Sequence, residues 1–180
     1  MPFNSLLVNS RGFTLIELII GIVVLSISLS IVSTLISPAE EKSADQILQV
    51  KAAELGQSFL NDISSRAFDH NSDMAGGRLR CGEAKLDGSA NPCSSVLGPE
   101  VGEDSRDLFN DVDDFNGYEL KVNAQGESLH TSYTNFEIDV VVEYDGLSLG
   151  LADGNAKLIT VTITTPLGTE IKFATHKANF

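Results

Sequence analysis

The sequence predicts an α+β protein in which one long N-terminal helix packs on a C-terminal antiparallel β-sheet. Three patterns predict this class: an uncharged apolar run near the N-terminus, a helical stripe of apolar residues after it, and alternating runs towards the C-terminus. One sheet wrapped against the helical stripe is the simplest way to bury both apolar faces.

Length and charge restrict the function classes. The chain has 180 residues, a length that suits one domain with appendages. Its formal net charge is −13. A domain this acidic repels phosphate backbones, so no nucleic-acid binding is expected. The three histidines are scattered, and no G-x-S-x-G, P-loop or H-E-x-x-H motif occurs. We therefore expect a protein that is not an enzyme.

A short segment, residues 1–12, precedes the apolar run and ends in an Arg-Gly pair. An ordinary secretory signal has the opposite order, with its cleavage site after the apolar run. The apolar helix is therefore expected to stay in the mature protein. Leu18 to Ile36 contains no charged residue, and as a helix it spans roughly 28 Å, close to the thickness of a bilayer core.

Glu17 stands out because a carboxylate inside an apolar segment costs several kcal/mol unless it is paired or protonated. It lies one helical turn after Phe13. Three interpretations are open: it approaches an amine at position 13 in its own chain, it pairs with that amine in a neighbouring chain, or it reaches water at the membrane edge. Pairing between chains would favour assembly and set the axial offset of the helices.

The string GFTLIE at residues 12–17, with the long apolar helix after it, resembles the class III signal of type IV pilins and pseudopilins. The resemblance implies a type IV pilin-like fold. It implies that a prepilin peptidase cleaves between Gly12 and Phe13 and methylates the Phe13 amine. It also implies that Glu17 serves assembly and that residues 13–37 form a transmembrane and filament-core helix.

The same resemblance implies partners and a location. The partners are the prepilin peptidase, the inner membrane, and other pilins or minor pilins that pack against the N-terminal helix. The location is the bacterial inner membrane, with a single span and a periplasmic head, and then a pilus at the cell surface after assembly.

An amphipathic helix is predicted over residues 38–66. Pro38 opens this segment, and its apolar residues follow at spacings of four, three, four and four: Leu48, Ala52, Leu55, Phe59 and Ile63. Such spacing places them on one helical face. A turn-rich stretch after residue 66 ends the helix.

Residues 67–117 are predicted to be loop-rich and contain both cysteines, Cys81 and Cys93. A zinc site needs about four ligands, which this region does not supply. Outside the cytoplasm a disulfide is the natural interpretation, and in a reducing compartment the two thiols would stay unpaired.

Three carboxylates, Asp111, Asp113 and Asp114, fall within four residues. They suggest a Ca²⁺ site, although the spacing does not fit an EF-hand loop. The alternatives without a cofactor are a solvated acidic turn, or Asx-turns that close on Asn116-Gly117.

Residues 118–180 are predicted to form the antiparallel sheet. Strands are expected at 118–122, 136–144 and 158–165, and the return strand of a hairpin at 169–175. The side chains predicted to face the core are Phe136, Ile138, Val140, Val142, Tyr144, Ile159, Val161, Ile163, Ile171 and Phe173.

Four further stretches, at residues 52–58, 80–83, 98–100 and 109–117, resemble minor pilins of the MshD type from mannose-sensitive haemagglutinin (MSHA) pilus systems. This resemblance implies a low-abundance subunit that primes or caps a type IV pilus. Two alternatives remain: a type II secretion pseudopilin, which shares the leader and helix, and a plain single-pass anchored periplasmic protein, which keeps Met1.

Overall fold

The computed structural model describes residues 12–74, 77–121 and 133–179, and within residues 35–41 it describes the backbone alone. Val122, the last residue of the predicted strand 118–122, lies outside these ranges, as does His130, one of the three histidines. The chain divides into two compact units at Ala44 and Asp45. One helix, α1, runs from Leu15 to Ser65 and belongs to both.

In the first unit, α1 carries no charged residue from Leu18 to Thr34 and is mainly apolar on every side of that stretch. Every side chain described in this part of α1, up to Thr34, is exposed. Its hydroxyl groups are satisfied within the helix, since Ser26 and Ser28 each donate a 2.8 Å hydrogen bond to the carbonyl four residues earlier. A helix that is apolar all round requires an apolar environment from outside the unit.

In the second unit, the last turns of α1 bury the predicted stripe. Ala52, Leu55, Phe59 and Ile63 are almost fully buried, and Leu48 packs against them at the margin. They join the inward side chains of the sheet in one hydrophobic cluster. The predicted α+β class, with a long N-terminal helix packed on an antiparallel sheet, is therefore confirmed.

The sheet has four strands in the order β1-β2-β3-β4, all antiparallel. The strands are β1 Tyr118–Lys121, β2 Glu137–Tyr144, β3 Ala156–Thr164 and β4 Glu170–Ala178. Alternation along β2 and β3 places mostly apolar side chains inward and mostly polar ones outward. The exceptions include Lys157, which is buried, and Val141, which is exposed. Ile138 lies opposite Ile163, and Val140 lies opposite Val161, so the core faces of both strands are in register.

Gly56 permits the close approach of α1 to the edge strand β4. A Cβ atom at this position would overlap the Phe173 ring. The half-buried Phe173 packs against the core cluster. Glycine is a poor helix former, but the packing of Phe173 from β4 requires a residue without a Cβ atom at this position.

The described residues between α1 and β1, 66–74 and 77–117, are mostly irregular. They contain two short 3₁₀ turns, Arg106–Leu108 and Asp113–Phe115. Phe109, Val112 and Phe115 are buried in the core cluster, and the Val112 amide donates to the Ala67 carbonyl at 3.0 Å. Their burial fixes the acidic stretch against the body of the unit.

Candidate functional site

The predicted processing junction lies in non-helical chain just before α1. Phe13 is 84% exposed, and no residue beyond its chain neighbours lies within 4 Å of the position a Gly12 Cβ would take. The helix starts two residues later at Leu15. The described side of the junction is therefore exposed and outside the helix.

Glu17 lies in the first turn of α1. Its backbone amide donates to Thr14 Oγ1 at 3.4 Å, so Thr14 acts as a cap of the helix. The Thr-x-x-Glu spacing is that of a capping box. Among the described residues the exposed Glu17 carboxylate has no ion-pair partner. It is therefore available to a group from outside the described chain.

By length and composition, Leu15–Thr34 is able to cross a membrane. Its side chains are exposed all round the helix, so none of this apolar surface is used for folding of the described chain. Glu17 lies in the first turn of this segment. The arrangement places one carboxylate in a continuous apolar surface.

The structure joins Cys81 and Cys93 by a disulfide, with a Cα–Cα distance of 4.7 Å. Hydrogen bonds from asparagine side chains to backbone carbonyls connect the loop that it closes to neighbouring segments. Asn91 Nδ2 donates to the carbonyls of Asn71 and Arg80 at 2.8 and 2.9 Å. Asn179 Nδ2 donates to the Cys81 carbonyl at 2.9 Å, which connects the loop to the end of the chain.

Replacing both cysteines by serine should lower the free energy of unfolding by about 3 kcal/mol, because the cross-link restricts the unfolded chain. Denaturant titration of the variant and the wild type measures this change. In the wild type, both thiols should resist alkylation until they are reduced, and ready labelling without reductant would contradict the bridge.

A fully buried lysine, Lys157, lies near the start of β3. Its Nζ donates to the Phe68 carbonyl at 2.6 Å and to Asp113 Oδ1, and lies 3.7 Å from Asp69 Oδ2. We call Lys157, Asp69 and Asp113 the lysine network. Asp69 also accepts backbone amide hydrogen bonds from Asn71 and Ser94 at 3.0 and 2.7 Å, so its charge is well stabilised.

The three predicted carboxylates do not form one solvated turn. Asp111, Asp113 and Asp114 are each no more than 1% exposed, because the neighbouring Val112 and Phe115 insert into the core and draw them inward. The solvated acidic turn is therefore wrong. Asp113 belongs to the lysine network, while Asp111 and Asp114 lie beside Glu100.

Glu100, Asp111 and Asp114 each present a carboxylate oxygen to a common point, with these oxygens within 4.8 Å of one another. We call these three residues the carboxylate cluster. Burial raises the pKa of Asp111 to about 9, and the neighbouring Asp113 adds to this increase. Burial also raises the pKa of Glu100 to about 7, with contributions from Glu103 and Asp114. The cluster thus favours a proton or a cation at neutral pH.

Sequence reasoning missed Lys157, although a signal was present. Alternate residues of a strand share one face, so Lys157 lies on the same face of β3 as the core residues Ile159, Val161 and Ile163. The sequence therefore places a charged residue on the inward face. Glu100 gave no comparable signal, since it lies in irregular chain far from the acidic stretch.

Comparison with protein families gives one match. Residues 7–33 match the prokaryotic N-terminal methylation motif, which covers the junction, Glu17 and most of the apolar run. The match supports a type IV pilin-like prepilin signal and, with it, a pilin- or pseudopilin-like subunit. It does not extend to the head and gives no support to the MshD type specifically. Neither the curated proteins nor the solved structures give a significant match.

Proposed function

We propose that the chain is a minor pilin-like structural subunit of a type IV pilus. A prepilin peptidase cleaves it between Gly12 and Phe13 and methylates the new amine. The processed subunit is stored in the inner membrane, with its head in the periplasm, and then enters the filament through its N-terminal helix.

One observation carries the proposal: the methylation motif at residues 7–33 overlaps Leu15–Thr34, the part of α1 whose apolar side chains are all exposed. A bilayer covers such a surface during storage, and neighbouring helices cover it in a filament. The two environments require the same residues, so one helix serves both states.

Intact-mass analysis of the native protein tests the processing step. The expected mass lacks residues 1–12 and includes one added methyl group at Phe13. Cells without a prepilin peptidase provide the control and should contain the uncleaved chain. A native mass that includes Met1 through Gly12 would overturn the proposal and favour a plain anchored protein.

The choice of filament rests on the four head stretches that resemble MSHA minor pilins. A type II secretion pseudopilin shares the leader and the helix, so processing does not separate the two. Immunolabelling of sheared surface filaments does. We expect the chain in MSHA-like pili at low abundance, whereas its confinement to a secretion pseudopilus would assign it to the alternative.

A further inference from the structure

Two fully buried carboxylates of the carboxylate cluster have oxygens without a partner. Asp114 Oδ2 accepts the backbone amides of Asn110 and Asp111 at 2.7 and 3.0 Å, but Asp114 Oδ1 has no hydrogen-bond partner within the described chain. Asp111 Oδ1 accepts the Asp113 amide at 2.8 Å, and Asp111 Oδ2 likewise lacks a described partner. Leaving a buried carboxylate oxygen unpaired is costly.

Glu100 completes the same arrangement from the preceding loop. Its Oε2 atom is buried and has no hydrogen-bond partner in the part of the chain that is described. The His70 Nδ1 atom lies 3.8 Å from this oxygen, beyond hydrogen-bond distance. The buried oxygens of Glu100, Asp111 and Asp114 therefore lack a partner among the described residues.

The buried lysine does not supply a partner to these oxygens either. Lys157 Nζ bonds to Asp113 and lies near Asp69, so its single positive charge is already shared between two carboxylates. Asp113 is therefore a poor candidate for a further ligand, even though it lies next to Asp114 in sequence.

We propose that Glu100, Asp111 and Asp114 bind one calcium ion, which ties the loop at residue 100 to the buried acidic stretch. All three donors are hard carboxylate oxygens presented by irregular chain, which suits the larger and more flexible coordination of Ca²⁺. Zinc prefers nitrogen and sulfur ligands over a set of carboxylates alone, and both cysteines are held in the disulfide. The site does not depend on the proposed pilus role.

Calorimetry tests the site by measuring Ca²⁺ binding and the unfolding midpoint. The sample is the protein purified from the membrane in detergent, with its N-terminal helix, after removal of metals with a chelator. We expect one Ca²⁺ per chain. At a hundredfold excess of Ca²⁺ over its dissociation constant, the unfolding midpoint should rise by roughly 5–10 °C. Mg²⁺ at the same concentration should give a much smaller rise, because it requires stricter geometry.

Three variants identify the ligands. Asp114→Asn and Asp111→Asn keep the side-chain size, and Glu100→Gln alters a residue that is only partly buried. Each should weaken Ca²⁺ binding on the order of tenfold or more. Without Ca²⁺, each should unfold at the wild-type temperature or above it, because the neutral amide avoids the cost of burying a carboxylate without a partner.

The control is Asp107→Asn, which makes the same change at an exposed position nearby and should bind Ca²⁺ like the wild type. The proposal is overturned if the wild type shows neither binding nor a shifted midpoint. It is equally overturned if Asp114→Asn responds to Ca²⁺ as the wild type does, or if Mg²⁺ gives an equal shift.

Discussion

Replacing Lys157 by methionine should lower the free energy of unfolding by about 3–5 kcal/mol. Methionine matches the length of the apolar stem, so the loss comes from the charge and its hydrogen bonds. The change leaves the buried carboxylates of Asp113 and Asp69 without their cation. It also removes the donor to the Phe68 carbonyl. Denaturant unfolding followed by near-ultraviolet circular dichroism of the tyrosines measures the loss.

Two further variants separate the buried charge from a general effect of losing a lysine. Lys172→Met makes the same change at an exposed position of β4 and should stay within about 0.5 kcal/mol of the wild type. The double variant Lys157→Met with Asp113→Asn should recover part of the loss, because it removes one of the uncompensated charges. A loss below about 1 kcal/mol for Lys157→Met alone would refute the lysine network.

Changing Glu17 to glutamine should reduce incorporation into filaments by at least about tenfold, while cleavage of the leader at Gly12 continues. The reason is that removing one charge of an ion pair in an apolar environment costs several kcal/mol. The ratio of sheared-filament protein to membrane protein, measured by quantitative immunoblotting, reports incorporation. Intact mass in the same samples reports cleavage.

Glutamine is informative because Glu17 has a second candidate role. The Thr14 and Glu17 pair has the spacing of a capping box, and glutamine serves that role about as well as glutamate. Glu17→Ala removes the charge and the cap together. If the charge is what matters, both variants fail equally. Normal incorporation of Glu17→Gln would show that the residue serves as a cap and would remove the pairing role.

The sequence predicted the fold well where periodicity is strong. The helical stripe that ends at Ile63 and the alternation in β2 and β3 each specify which side chains lie inward, since the two periods are set by backbone geometry alone. Boundaries shifted slightly: β3 begins at Ala156, and β4 extends to Ala178. The residue at which a strand ends depends on its hydrogen bonds to the neighbouring strand. The apolar pattern within one strand gives no information about those bonds.

The acidic stretch shows where local reasoning failed. Asp111 and Asp114 are polar and lie in a turn-rich segment, so composition alone favours solvent exposure. Phe109, Val112 and Phe115 recur every third residue, however, and they bury that side of the stretch. A period of three is that of a 3₁₀ turn, and this signal indicated burial before any tertiary contact was known.

By itself the sequence determined the apolar N-terminal helix with its prepilin signal and the α+β class, because both depend on runs and periods along one segment. Only the tertiary structure decided that Lys157 and Asp113 pair and that Glu100 joins Asp111 and Asp114. These groups come from separate loops and strands. Their charges interact strongly only because folding brings them together and removes the water that would otherwise screen them.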